Sequence, residues 1–242
     1  MNMIHNSTYL VRLMKRHRNL TVLCFYMVVL SYLSFFVLIS VLMLTDYKKP
    51  VPFVALSIFT FFLFVYLCYK ELNKWRAAAN GVTGEDTFRD TLSGIVDNDS
   101  VVFHSVPTYW GDIDYLLVSP GGVYAFEIKH HSGHICYDRA GWTRTKISGG
   151  GVAYTGGIGN PSGQLTRNIL WLKDYLNSEG IDSVWINGIV VFTHPSASLS
   201  IKGLKHVMAI RPHELEVSLK GCEIGTEKAD QIRKAIEKLR EA

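Results

Sequence analysis

Glu127 and Lys129 stand two residues apart in the run Val123-Tyr124-Ala125-Phe126-Glu127-Ile128-Lys129, which reads as a strand. Side chains two apart on a strand share a face, so a carboxylate and an ammonium project together while Phe126 and Ile128 turn into the core. Upstream, Asp114 leads the apolar stretch Tyr115-Leu116-Leu117-Val118, and Ser119-Pro120-Gly121-Gly122 between the two runs reads as a turn. A hairpin through that turn brings Asp114 toward Glu127. Two carboxylates about 4 Å apart repel by several kcal/mol at an effective dielectric near 20, so such a pair calls for a cation or a shared proton. A hard divalent ion, Mg2+ or Mn2+, takes carboxylate oxygens and keeps waters, one of which can attack a phosphodiester. Lys129 would orient that water and stabilise the developing charge. An isolated Glu-x-Lys pair is more often a salt bridge on an edge strand, so its surroundings must decide. Asp112 competes with Asp114, because the two share a strand face.

Other chemistry-bearing residues carry less. His130, His131 and His134 follow the strand but have no cysteine pair to complete a zinc site, and strand-end histidines are usually solvated. Val217 stands where an H-E-x-x-H helix beginning at His213-Glu214 would need histidine. The glycine-rich stretch 148–161 lacks the G-K-[ST] ending of a phosphate loop and reads as a mobile flap over the site. Ser105, Ser119 and Ser132 have no nucleophile-elbow context. Tyr109, Trp110 and Trp142 can stack on bases, although packing under the sheet is the favoured expectation. Cys136 and Cys222, outside the apolar segments, imply neither a disulfide framework nor a zinc pattern.

The elements that must position these residues read as follows. A helix over 70–80 ends at a break over 81–84, and a second helix occupies 85–94. Strands are expected at 101–106, 113–118 and 123–129, with edge strands at 135–137 and 142–145. Asn160-Pro161 opens a helix to residue 177 with Leu165, Ile169, Leu172 and Leu176 on one face. The near-continuous apolar run 184–192 is the pattern of a strand buried on both faces; a strand at 207–210 and helices at 212–219 and 226–240 follow. This order describes an α/β fold, a mixed sheet flanked by helices.

Residues 20–44 and 51–69 contain no charged side chain. At about 1.5 Å per residue they span about 37 and 28 Å, against a hydrocarbon core of about 30 Å. The first run is too long for a signal-peptide core and no small-residue cleavage site follows it; neither run has the polar face of a helix at a soluble core's surface. Arg12, Lys15, Arg16 and Arg18 precede the first run and Lys70, Lys74 and Arg76 follow the second, so a transmembrane hairpin would leave both termini in the cytoplasm. Residues 1–69 hold six basic and one acidic side chain and the remainder nineteen and twenty, so the net charge of +4 reflects topology rather than nucleic-acid affinity. Two spans without an intramembrane charge offer no ion pathway.

Several of these features recur together in one family. Gly84-Glu85, Ile113-Asp114-Tyr115-Leu116, Gly121-Gly122-Val123 before Phe126-Glu127-Ile128-Lys129, Gly133, Trp142, Asn160-Pro161 with Gln164, and the late strand 188–192 resemble the NERD (nuclease-related) domain, of the PD-(D/E)XK nuclease-like superfamily. The resemblance implies a restriction-endonuclease-like sheet in which Asp114 and Glu127 are metal ligands and Lys129 the catalytic lysine, supported by Glu85 as an additional acidic residue and by Gln164. Tyr115 stands where many members show histidine and is assigned no role. The implied organisation is a basic N-terminus (1–19), two membrane helices (20–44, 51–69), a linker helix (70–83), the NERD domain (84–220) and a C-terminal helix (221–242). The expectation is a divalent-metal-dependent nuclease at the cytoplasmic face of an inner membrane, acting on nucleic acid, DNA before RNA. The alternative is a non-catalytic, membrane-tethered module binding nucleic acid or protein. Homo-oligomers are compatible with either.

Overall fold

The computed structural model describes residues 2–4, 8–44, 51–221 and 223–241; the polar connection 45–50 and Cys222 lie outside them. The chain divides into two compact units, one of residues 8–82 and the other of the remainder.

The first unit follows from the apolar runs. Strand β1 (Asn2–Ile4) precedes helix α1 (Thr8–Leu44), and helix α2 is Val51–Ser93. Helix α1 starts well before the uncharged run, so Arg12, Lys15, Arg16 and Arg18 are helical. His17 Nδ1 meets Glu71 Oε2 at 2.8 Å, while Tyr32 and Phe35 line a cavity with Ser57, Ile58 and Phe61, so the two helices run antiparallel. Both are long and apolar enough to cross a membrane. The hydroxyls of Thr21, Ser31, Ser34, Ser40, Ser57 and Thr60 each donate to a carbonyl three or four residues earlier in their own helix, which leaves no hydroxyl among these six demanding water.

Helix α2 continues through 81–84, where a break was expected. A glycine inside a helix costs about 0.5–1 kcal/mol, whereas burying Phe88 and Leu92, both 0% exposed, contributes about 1.5–3 kcal/mol each. Packing wins over propensity.

In the second unit β1, β2 (Val101–Thr108), β3 (Gly111–Ser119) and β4 (Gly122–Lys129) continue into β8 (Ile186–Phe192) and β10 (Val207–Ile210), in the spatial order β1-β2-β3-β4-β8-β10. The meander β2-β3-β4 is antiparallel and β4, β8 and β10 are mutually parallel, so the sheet is mixed. Helix α3 (Pro161–Ser178) makes the crossover; Asn160 caps it by accepting the Gly163 N–H at 2.9 Å, with Pro161 in the first turn. Leu165, Leu172 and Leu176 are fully buried on the face that was expected to be apolar, with Ile169 beside them. Together with Ala229, Ile232 and Ile236 of α5 (Thr226–Glu241) they cover one face of the sheet. Phe88 and Leu92 of α2 and Leu215 of α4 (Leu215–Ser218) cover the other, over Val102, Tyr115, Tyr124 and Phe126. The α/β class and the mixed sheet flanked by helices are therefore as expected.

Three further expectations are corrected. The segments around Ile135 and Trp142 do not edge this sheet: β5 (Gly133–Asp138), β6 (Gly141–Ile147), β7 (Ala153–Gly157) and β9 (Ala197–Ile201) form a separate one, in the order β7-β6-β5-β9. Gly133, at φ +95°, turns the chain out of β4, and β9, an element without a long apolar run, supplies a parallel partner for β5. The glycine-rich stretch is also not wholly loop, since Ala153–Gly157 pairs antiparallel with β6. The predicted helix at 212–219 shrinks to a 3-10 turn and the single turn of α4.

Candidate active site

Asp114 sits where two strand ladders part. β3 and β4 pair from Ser119↔Gly122 down to Tyr115↔Phe126; the next position would set Asp114 against Glu127. There the backbone pairing stops, and Asp114 Oδ2 accepts the Ile128 N–H at 2.6 Å. On the other side, β2 and β3 pair at His104↔Tyr115 and again at Val106↔Ile113, skipping Ser105 and Asp114. Ser105 has φ +52°, a left-handed conformation rare for a residue with a side chain. The kink shifts strand parity: Phe103 and Val106, three apart, enter the same core, as do Ile113 and Leu116. Asp114 is thereby half-buried beside the acid on β4, while Asp112 is exposed and its carbonyl accepts from Asn168 Nδ2 at 3.1 Å. Geometry separates the two rivals.

Glu127 is 1% exposed. Lys129 Nζ donates to its Oε1 at 2.5 Å, and among the described residues Oε2 has no hydrogen-bond partner. Phe126 packs on Phe88 on the opposite face, as the alternation required. Burial and the neighbouring Glu127 push the Asp114 carboxyl up to about 8, against the Ile128 N–H and Lys129, which pull it down. Burial also raises Glu127, with Lys129 opposing. Both acids are held toward their neutral forms, the state that an added cation reverses. An orphaned, buried carboxylate oxygen beside a second strained carboxylate fits a hard divalent ion. No group of three or more histidine, cysteine, aspartate or glutamate side chains poised for a metal exists among the described residues, so Asp114 and Glu127 would leave the remaining positions to water or carbonyls, in the manner of Mg2+.

Glu85 lies on α2 and accepts from His104 Nε2 at 3.2 Å. Its charge also reaches Asp114, as the smallest of the effects raising that carboxyl. His104, 6% exposed and edge-on to Tyr115 at 4.7 Å, escaped the sequence reading. Its signal was available: an imidazole inside Val102-Phe103-His104-Ser105-Val106, a strand with no other ionisable group. Tyr115 is itself a core residue against Phe88 and His104. Gln164, half-buried in the first turn of α3, donates its backbone N–H to Asn160, and among the described residues no hydrogen bond joins its side chain to the acids. Asn168, fully buried one turn later, was also missed; it accepts from Thr108 Oγ1 at 2.9 Å and holds the β2–β3 turn onto α3.

The aromatic residues divide. Trp142 packs against Phe192 and Tyr137 and donates to Ser162 Oγ at 2.9 Å, as the packing expectation had it. Tyr109 and Trp110 do not: at the tip of the β2–β3 turn they are 76% and 58% exposed, edge to face with each other. The histidines go to separate partners, His130 to Thr193, His131 to Arg144 and His134 to Ser198.

These features define an α/β domain with an acid pair, one member buried and the other half-buried, and a lysine at one end of a mixed sheet. Residues 80–193 match the family model of the nuclease-related domain, NERD. No curated protein matches the chain significantly, and no solved structure does.

Proposed function

We propose that the chain is a membrane-anchored, divalent-metal-dependent nuclease that hydrolyses phosphodiester bonds in nucleic acid, DNA in preference to RNA. The observation that carries this reading is Glu127: buried, ion-paired to Lys129 through one oxygen and, among the described residues, unpartnered on the other, beside the raised carboxyl of Asp114. Asp114 and Glu127 would hold Mg2+ or Mn2+, which when bound lowers the pKa of water and polarises a phosphoryl oxygen. Lys129, fixed by Glu127, presents an ammonium to the developing negative charge of the phosphate. Ile128 N–H fixes the Asp114 carboxylate, and Glu85 holds His104 against the same end of the sheet. Gln164 would serve in support, at the substrate rather than at the acids. The helices α1 and α2 would place the domain at an inner membrane, with the N-terminus and the domain in the cytoplasm by the distribution of basic residues.

The test is cleavage of linear, circular and single-stranded DNA and of RNA by the full chain in detergent, with Mg2+ or Mn2+. Glu127→Ala and Lys129→Ala are each expected to lower the rate by at least about 100-fold, the range of an electrostatic catalytic contact. A folded, metal-supplied wild type that cuts none of these substrates would leave the non-catalytic binding module as the reading.

A further inference from the structure

The second sheet brings its own cations to this site. Along β6, Trp142, Arg144 and Lys146 alternate onto one face. Trp142 of that face is packed on Phe192, the residue in register with Lys129 across β4 and β8. Arg144 Nη1 donates to His131 Nδ1 at 3.1 Å. His131 is a neutral acceptor: burial, Arg144, Lys129 and Lys146 together hold its imidazole down to about 4. The Lys146 stem lies across Gly133, where a Cβ would come within 3.1 Å of Lys146 Cγ and 2.5 Å of the Thr145 carbonyl oxygen, so that glycine permits the approach.

Both cations are half-buried, and among the described residues neither meets a carboxylate. Elsewhere in the unit Arg89 is paired with Asp86 and Arg233 with Asp230, whereas the guanidinium of half-buried Arg211 donates to the Pro195 carbonyl and, like that of half-buried Arg240, meets no carboxylate among the described residues. Desolvating a cation without a counter-ion is unfavourable, and a guanidinium fork with an ammonium beside it is the donor set that a phosphate satisfies. We propose that Arg144 and Lys146 form a phosphate-binding subsite that grips a nucleic-acid backbone phosphate neighbouring the one at Glu127 and Lys129. The assignment rests on the nuclease reading of that site and adds the residues that hold the strand.

The experiment measures binding of fluorescent single-stranded and duplex DNA to the full chain in detergent, with EDTA present so that nothing is cut, across a salt series. Arg144→Gln with Lys146→Gln is expected to weaken binding at least about 10-fold and to flatten the slope of log affinity against log salt by about 1 to 2, one counter-ion per lost contact. Arg144→Lys keeps the charge and should keep most of the slope; Lys205→Gln, on an exposed loop, should change nothing. A double variant with the wild-type near-ultraviolet circular dichroism that binds with wild-type affinity and slope overturns the subsite, as does a wild type that binds neither DNA. Mg2+-dependent cutting by wild type alongside the first result leaves the nuclease reading intact. Binding that depends on Arg144 and Lys146 without cutting under Mg2+ or Mn2+ overturns catalysis and retains the subsite.

Discussion

Burial of charge at Glu127 is tolerated because Lys129 reaches back two residues along the same strand. Neither group is cheap to desolvate alone, so each fixes the other's rotamer, and among the described residues the second Glu127 oxygen has no hydrogen-bond partner. His131 supplies a residue-scale prediction. Its folded value of about 4 lies below the ordinary value of 6.5, so between these the unfolded chain binds more protons than the folded one. Its contribution is present in full above about pH 6.5 and is lost as pH falls through about 4; His130, lowered by burial and by His194, acts with the same sign. Asp114, raised, acts in the opposite sense, losing stability as pH rises toward 8. Comparing denaturant midpoints of wild type and His131→Gln at pH 7.5 and 5 isolates the histidine. The variant is expected to lose less stability on acidification, and equal losses would remove this account.

At the scale of elements, the site depends on two features: the kink at Ser105 that interrupts the β2–β3 ladder beside Asp114, and the contact of α2 with the end of β4. Gly84 makes that contact. A Cβ there would lie 2.8 Å from His130 Cβ and 3.0 Å from Thr193 Oγ1, and His130 is already fixed by its bond to that hydroxyl. Gly84→Ala gains up to about 1 kcal/mol of helix propensity but overpacks a contact at a cost of about 1–3 kcal/mol. The net expectation is a lower unfolding midpoint for the full chain in detergent. Since Glu85 follows directly, weaker divalent-ion protection of that midpoint should accompany it.

For the whole molecule, helices α1 and α2 are long and apolar enough to cross a membrane. Leu23, Phe25, Leu33, Phe59, Phe62 and Tyr66 are each more than half exposed, forming a surface larger than soluble monomers present to water. Alkaline carbonate extraction is expected to leave the chain in the membrane pellet. A C-terminal green fluorescent fusion should fluoresce and a C-terminal alkaline phosphatase fusion should be inactive, as the arrangement of basic residues requires. The reverse pattern would place the domain, and the nuclease reading with it, on the other side from cytoplasmic nucleic acid.

By itself the sequence determined the strongly periodic and strongly apolar parts: two long helices without charge, the β3–β4 hairpin, the Asn160 cap with its Leu165, Leu172 and Leu176 stripe, and the buried strand at β8. Each follows from local rules, periodicity, capping and turn chemistry, that act within a few residues. The pairing of Glu127 with Lys129 belongs with them, because a strand's two-residue repeat decides it. Only the tertiary structure decided the rest. The preference for Asp114 over Asp112 comes from a kink at Ser105 on a different strand, and His104 meets Glu85 across a separation of 19 residues. Helix α2 survives its glycines because the core buries Phe88 and Leu92, and β5, β6, β7 and β9 form a sheet of their own because β9 arrives from far along the chain. Such contacts are set by packing between distant segments, where local propensity is outweighed by the side chains it must accommodate.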